Sequence, residues 1–151
     1  MNETSAGGAG RLLQTLTDAE CWAHLVEHHL GRIAIVVGGV PKIFPINYAA
    51  GDNAIVFRSD AGTKLMHGPG SLACFEIDGY IPASGVGWSV VVSGPLDDIT
   101  GLDDPGSARL RSLSVEPMAP GRYLHWLALR ADEVSGRTFL RGWAIPGSRL
   151  G

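Results

Sequence analysis

The stretch FRSDAGTKL, Phe57 to Leu65, places an arginine, two hydroxyls and a lysine around one glycine, directly after the apolar run AIV. Guanidinium, ammonium and hydroxyl groups beside the free N–H groups of a helix start are the donors that a phosphomonoester needs. The stretch is not a triphosphate loop. The pattern GxxxxGK[ST] needs a glycine at its start that is missing here, and Leu65 stands where the magnesium-binding hydroxyl belongs. What remains is a strand ending at Arg58, a hydroxyl at Ser59, and Gly62-Thr63-Lys64 in the first turn of a short helix. Taken alone, nine such residues are more simply a solvated turn with one cap residue.

Other candidate chemistry is sparse. His24 and His28 lie four apart, as helical zinc ligands can, but no HExxH-like carboxylate accompanies them, so the expectation is a solvated helix face and no metal site. His28-His29 falls near the helix end, where the dipole favours a cationic imidazole. His67 follows the Thr63-Lys64 turn, and Asp78 and Tyr80 sit in a loop that could face a substrate. There is no Ser-His-Asp set, no paired carboxylates and no GxGxxG with βαβ alternation to host it.

The frame for these residues is one compact domain: 151 residues, 45% hydrophobic and 18% charged. A net charge of −3 gives no electrostatic footprint for nucleic acid. The start, MNETSAGGAG, lacks the basic and apolar regions of a secretory signal, and no run approaches the roughly 20 apolar residues of a membrane span. A cytoplasmic protein without membrane or nucleic-acid partners is expected. Cys21 and Cys74 fall in apolar patterns and are expected to be buried free thiols.

LTDAECWAHLVEHHLG predicts one helix: Thr17 as N-cap, Glu20 closing a capping box, Cys21, Trp22, Leu25 and Val26 on one face, Gly31 as the stop. RIAIVV and VPKIFPINY then predict two strands joined by a tight Gly38-Gly39 hairpin. Pro41 and Pro45 each remove a ladder donor, so the second strand belongs at an edge or a bulge. AAGDN follows as a turn, AIVFR as a third strand, SLACFEID as a fourth, GYIPASGVG as a Gly-rich loop and WSVVVSGPLDDI as a long fifth strand. A short helix over Asp103 to Ser114, the connector VEPMAPG and a sixth strand, YLHWLALR, complete the pattern. Short antiparallel strands at close spacing predict a small closed or split barrel. Such a barrel has little interior room, so a sizeable ligand belongs on its outside, with a second wall from a symmetry-related subunit.

In their order, LGRIAIVVGGVPKIFPINY, AIVFRSDAGTKL, FEIDGYIPASGVGWSVVVSG and VSGRTF resemble the pyridoxamine 5′-phosphate oxidase-like superfamily of FMN-binding split barrels, specifically its small actinobacterial, nitroimidazole-reductase-like members. The resemblance runs from Leu16 to Leu140. It implies a mainly β fold, a six-stranded antiparallel split β-barrel with flanking short helices. Residues 1–10 would be a flexible lead, 11–145 the flavin-binding domain and 146–151 a tail. It also implies a homodimer with FMN at its interface, acting as an oxidoreductase on a small-molecule substrate. Arg58, Ser59, Thr63 and Lys64 would hold the phosphate or ribityl chain. Pro45, Ile46, Asn47 and Tyr48 would run along the isoalloxazine edge, where strand amides and carbonyls match the ring's polar atoms. Trp88 and Ser89 would approach from a neighbouring strand or the partner subunit, although a tryptophan is more often a packing residue. The chain is shorter than true pyridoxamine phosphate oxidases and lacks a match for the basic residues that hold that substrate's phosphate, so vitamin B6 oxidation is not expected. A deazaflavin, a haem with His67 as the nearest axial candidate, and flavin binding without turnover are the alternatives.

Overall fold

The capping box forms as its residue types require. The Thr17 hydroxyl accepts from the Glu20 N–H at 3.2 Å, and the Glu20 carboxylate accepts from the Thr17 N–H at 2.8 Å. Helix α1 covers Asp18–Glu27, in a computed structural model that describes residues 13–140. The expected lead (1–10) and tail (146–151) lie outside the described residues. Cys21 and Leu25 face inward, whereas Val26 is exposed. The helix stops at His28, whose backbone is extended, so Gly31 is not its terminator. Gly31 instead enters a strand where the Phe75 ring fills the space a Cβ would need. Close approach, not helix termination, explains that glycine.

Nine strands are described: β1 (Leu13–Thr15), β2 (Leu30–Val37), β3 (Val40–Asn47), β4 (Ala49–Gly51), β5 (Ala54–Ser59), β6 (Ser71–Ile81), β7 (Val86–Asp98), β8 (His125–Arg130) and β9 (Glu133–Leu140). A second helix, α2, spans Pro105–Arg111, and Lys64–His67 form a single 3-10 turn. The order is β3-β2-β6-β7-β8-β5-β4, with β9 paired to both β7 and β1. The sheet is antiparallel throughout and the architecture is mainly β, consistent with a split barrel. The count exceeds the expected six because β1 and β4 are three residues long, too short to show a period, and β9, though continuous, has Gly136 and several polar residues in place of a clear β-type run. No helix among the described residues is long and apolar enough to cross a membrane.

Gly38 and Gly39, at φ 58° and 77°, make the predicted two-residue turn between β2 and β3. The Gly-rich segment after Asp78 is mostly strand rather than loop. Pairing continues from Asp78↔Ser89 to Ile81↔Val86, and only residues 82–85 turn. Its glycines make room for rings: Gly79 lies opposite Trp88 and Gly87 opposite Phe139, each aromatic covering its cross-strand glycine.

The interior is filled by alternate residues of the strands. Ile33, Ile35, Ile55, Phe57, Phe75, Ile77, Val90, Val92, Leu127 and Leu129 form one cluster with Cys21 and Leu25 of α1. On the other side of β5 and β8, Leu110 of α2 packs with Ala54, Val56, Ile99 and Ala128. The same alternation corrects one expectation. Phe75 points in, so Cys74 points out and is exposed, while Cys21 is buried as expected.

Strand β7 changes partner along its length. Val86 to Ser93 pair with β9, and Leu96 to Asp98 pair with β8. At the exchange, the Asp132 N–H donates to the Ser93 carbonyl at 2.9 Å. A Cβ on Gly94 would run into the Arg130 carbonyl oxygen, a backbone atom that no rotamer change can move. Gly94→Ala should therefore destabilise the fold by about 3 kcal/mol or more, at the severe end for one substitution. Urea unfolding checks it; a loss under about 1 kcal/mol would show that the two halves part easily.

Candidate functional site

Edge geometry puts polar backbone next to the Arg58 corner. Among the described residues β3 has only β2 as a neighbour. Pro41 and Pro45 are four residues apart and so share one parity of the ladder, and with no N–H to give they take the positions that face away from β2. Asn47 has the same parity, so its backbone N–H and C=O also face the free edge. Beside this edge lies a cavity of ≈ 400 Å³ lined by Pro45, Ile46, Asn47, Arg58, Ser59 and Thr63, together with Phe44, Asp60, Leu65, Pro117, Met118, Ala119 and Tyr123. Six of the ten residues predicted from the sequence thus meet in one place.

The corner is held by a short polar network. Arg58 donates from Nη2 to the Tyr123 carbonyl at 2.7 Å and lays its guanidinium over the Trp126 ring at 5.0 Å. Its Nε is buried and has no partner among the described residues. The Ser59 and Thr63 hydroxyls are 2.9 Å apart. The Thr63 hydroxyl and N–H both donate to the Asp60 carbonyl. The Asp60 carboxylate in turn accepts from the Tyr123 N–H, which clips the 117–123 connector to the end of β5. The expected helix start is a single 3-10 turn, in which the Thr63 N–H is taken by the Asp60 carbonyl and the Met66 N–H by the Thr63 carbonyl.

The other predicted residues lie elsewhere. Lys64 is exposed at the rim of the turn, outside the lining. Tyr48 is buried in the core, its hydroxyl donating to the Leu25 carbonyl at 2.8 Å and its ring edge-on to Phe75. Burial pushes its phenol far above the ordinary range. Trp88 and Ser89 line a separate cavity of ≈ 500 Å³ with Asp78, Gly79, Tyr80 and Phe139. His67 is exposed on the 3-10 turn. His24 is not on a solvated face: it is half-buried and stacked on Trp88, with ring centroids 4.1 Å apart.

Comparison with known proteins decides the family. Residues 17–138 match the family description "Pyridoxamine 5′-phosphate oxidase". The chain belongs to this family. The FAD-binding protein of Mycobacterium smegmatis has the same fold, with 30% identity, a TM-score of 0.70, and 83% of this chain and 97% of that one covered. A Corynebacterium glutamicum protein named after pyridoxamine 5′-phosphate oxidase is 27% identical, at a TM-score of 0.74, with 90% and 99% of the two chains covered. A FAD-binding protein of Mesorhizobium loti, at 24% identity and a TM-score of 0.66, covers 84% of this chain and 98% of its own; it supports the fold alone. No curated protein matches significantly.

Within this family member, the sequence reading missed the connector wall of the cavity. Pro117, Met118 and Ala119 fall in the predicted connector and Tyr123 at the start of the predicted sixth strand, but the strand begins only at His125 and Tyr123 belongs to the connector; nothing in the periodicity marks these four as a wall. Asp60 was likewise passed over as a turn residue, although its carboxylate and carbonyl organise the corner. A second polar pair stands nearby. His125, the cross-strand partner of Ser59, has Nδ1 at 2.8 Å from the Asp98 carboxylate. Burial alone would raise the Asp98 carboxyl, but bonds from the Thr100 hydroxyl and N–H and from His125 outweigh it and hold it below the ordinary range. A carboxyl whose folded value is depressed adds stability that is present above its unfolded value, near 3.9, and lost as the pH falls through the folded value. Asp98→Asn should be less stable by about 1 kcal/mol at neutral pH, the gap closing below about pH 4. Urea midpoints at several pH values test this, and a gap constant down to acid pH would exclude the charge as its source.

Proposed function

We infer that this chain binds a flavin mononucleotide in the β3–β5 cavity and acts as an oxidoreductase on a small molecule. The observation that carries the reading is Arg58: a cationic donor whose buried Nε has no partner among the described residues, in the lining of a cavity that also holds two hydroxyls and a strand edge unpaired among those residues. A buried unmet donor is costly, and an anionic ligand oxygen would relieve it. The M. smegmatis neighbour, 30% identical and described as FAD-binding, supports a flavin.

In this reading the phosphate sits at Arg58, Ser59 and Thr63, with Lys64 swinging in from the rim. Trp126 and Tyr123 fix the plane of the guanidinium before the ligand arrives. Tyr123 also draws the Asp60 carboxylate toward the connector, which keeps that negative charge from competing with the phosphate. The backbone at Pro45, Ile46 and Asn47 meets the polar rim of the ring. A bound flavin supplies the atom that takes up or gives back a hydride or electrons; the protein orients it and keeps water from one of its faces. The other face needs a second wall. We assign that wall to a second copy of the chain, whose Trp88–Ser89 face carries exposed apolar groups in Tyr80, Ile81 and Phe139.

Visible absorption of the purified chain, before and after adding FMN, tests the reading: flavin bands that co-elute with the protein support it, and a Soret band or no uptake overturns it. The M. smegmatis neighbour gives a specific reason to titrate FAD in parallel. Lys64→Ala should weaken FMN binding by about ten- to a hundredfold, the worth of one charge-assisted hydrogen bond. Unchanged affinity would remove Lys64 from the site. Dilution to the monomer should release the flavin; retention by a monomer would refute the shared wall.

A further inference from the structure

The histidines set aside in the sequence have a third partner in the fold. The segment reads HLVEH, His-x-x-Glu-His, the reverse of the HExxH order. Glu27 is the last residue of α1 and His28 its C-cap, three and four residues after His24, and the His28 N–H still donates to the His24 carbonyl at 3.2 Å, so the last turn carries the three together. One possible ligand atom from each of His24, Glu27 and His28 lies within 4.8 Å of the other two. We propose that His24, Glu27 and His28 form a binding site for a borderline divalent cation such as Zn²⁺. Two imidazoles and a carboxylate are the donor set such ions take, with water completing the shell.

The surroundings prepare this face. His28 Nδ1 is 2.8 Å from the His24 carbonyl. A carbonyl only accepts, so Nδ1 carries the proton and Nε2 keeps the lone pair that a metal requires. Both imidazoles rest on one indole: Trp88 of β7 is stacked on His24 at 4.1 Å and lies 4.8 Å from the His28 ring. The rings are therefore held by the sheet and not only by the helix. His24 Nδ1 is sealed from solvent and has no partner among the described residues. The charge around the face suits a cation, since α1 carries Asp18, Glu20 and Glu27 and neither lysine nor arginine. None of this depends on a flavin: the three residues lie outside the β3–β5 cavity lining.

The test is calorimetric titration of Zn²⁺ into the full chain, free of any affinity tag and stripped of metal with a chelator. One equivalent per chain should bind. Glu27→Gln and His28→Ala should each weaken binding at least as much as loss of an outer-shell partner does, about ten- to a hundredfold, while His29→Ala should bind as the parent does. His24→Ala would open a gap against Trp88, so the decision rests on the other two variants, with circular dichroism to show that they fold. Cu²⁺ gives a second readout: it should quench tryptophan emission in the parent and much less in Trp88→Phe. Absence of a saturable equivalent, or parental affinity in both Glu27→Gln and His28→Ala, would overturn the proposal.

Discussion

The fold depends on a change of partner along β7, the longest strand. Its first half belongs to a ladder with β9 and its last residues to a ladder with β8, while β6 follows it along most of its length. A sheet that exchanged neighbours without a gap would clash where the two partners turn away from each other. Gly94 removes the one side chain that would stand there, and the Ser93 carbonyl takes the Asp132 N–H as the chain turns. Splitting the sheet in this way lets a small barrel remain solid inside, filled by Ile, Val, Leu and Phe, and leaves binding to its rim and outer faces.

The rim is where backbone chemistry is spare. A central strand has no N–H or C=O to offer, but β3 is an edge, and its prolines keep another chain from pairing there as a further strand. The same two residues that weaken β3 as a strand leave its outer edge unpaired among the described residues, with Pro45 on the wall of the cavity. Beside it, Arg58 and Ser59 sit at the last positions of β5, where a rigid strand positions side chains better than the loop beyond it can. The connector then closes the cavity through two bonds at Tyr123, one to Arg58 and one to Asp60.

Much of this was legible in the sequence. The capping box, the Gly38-Gly39 hairpin, the edge character of the proline strand and the Arg58 corner all rest on local rules that tertiary contacts did not override. The failures have a common cause. Gly31, Gly79 and Gly87 look like punctuation in a single sequence, yet each is a space filled by a ring from another strand or from farther along the chain, and one sequence cannot show which ring. Tyr48 follows Asn47 in the stretch that the resemblance placed along the ring edge by its backbone, but its side chain turns to the opposite face, into the core, where its hydroxyl donates to the Leu25 carbonyl. His24 and His28 have the spacing of a solvated helix face; only Trp88, sixty-odd residues away, reveals that the face is covered.

The indole of Trp88 fills the vacant side of Gly79 with one part of its surface and supports the imidazoles of α1 with another. Residues from a hairpin and from a helix thus meet through one shared ring, and their substitutions will not add as independent changes do. A bulkier residue at 79 would be felt at 24 and 28, and a smaller one at 88 would loosen both at once. The glycine, the indole and the two histidines are thus coupled through one ring, and a change at any of them alters the setting of the others.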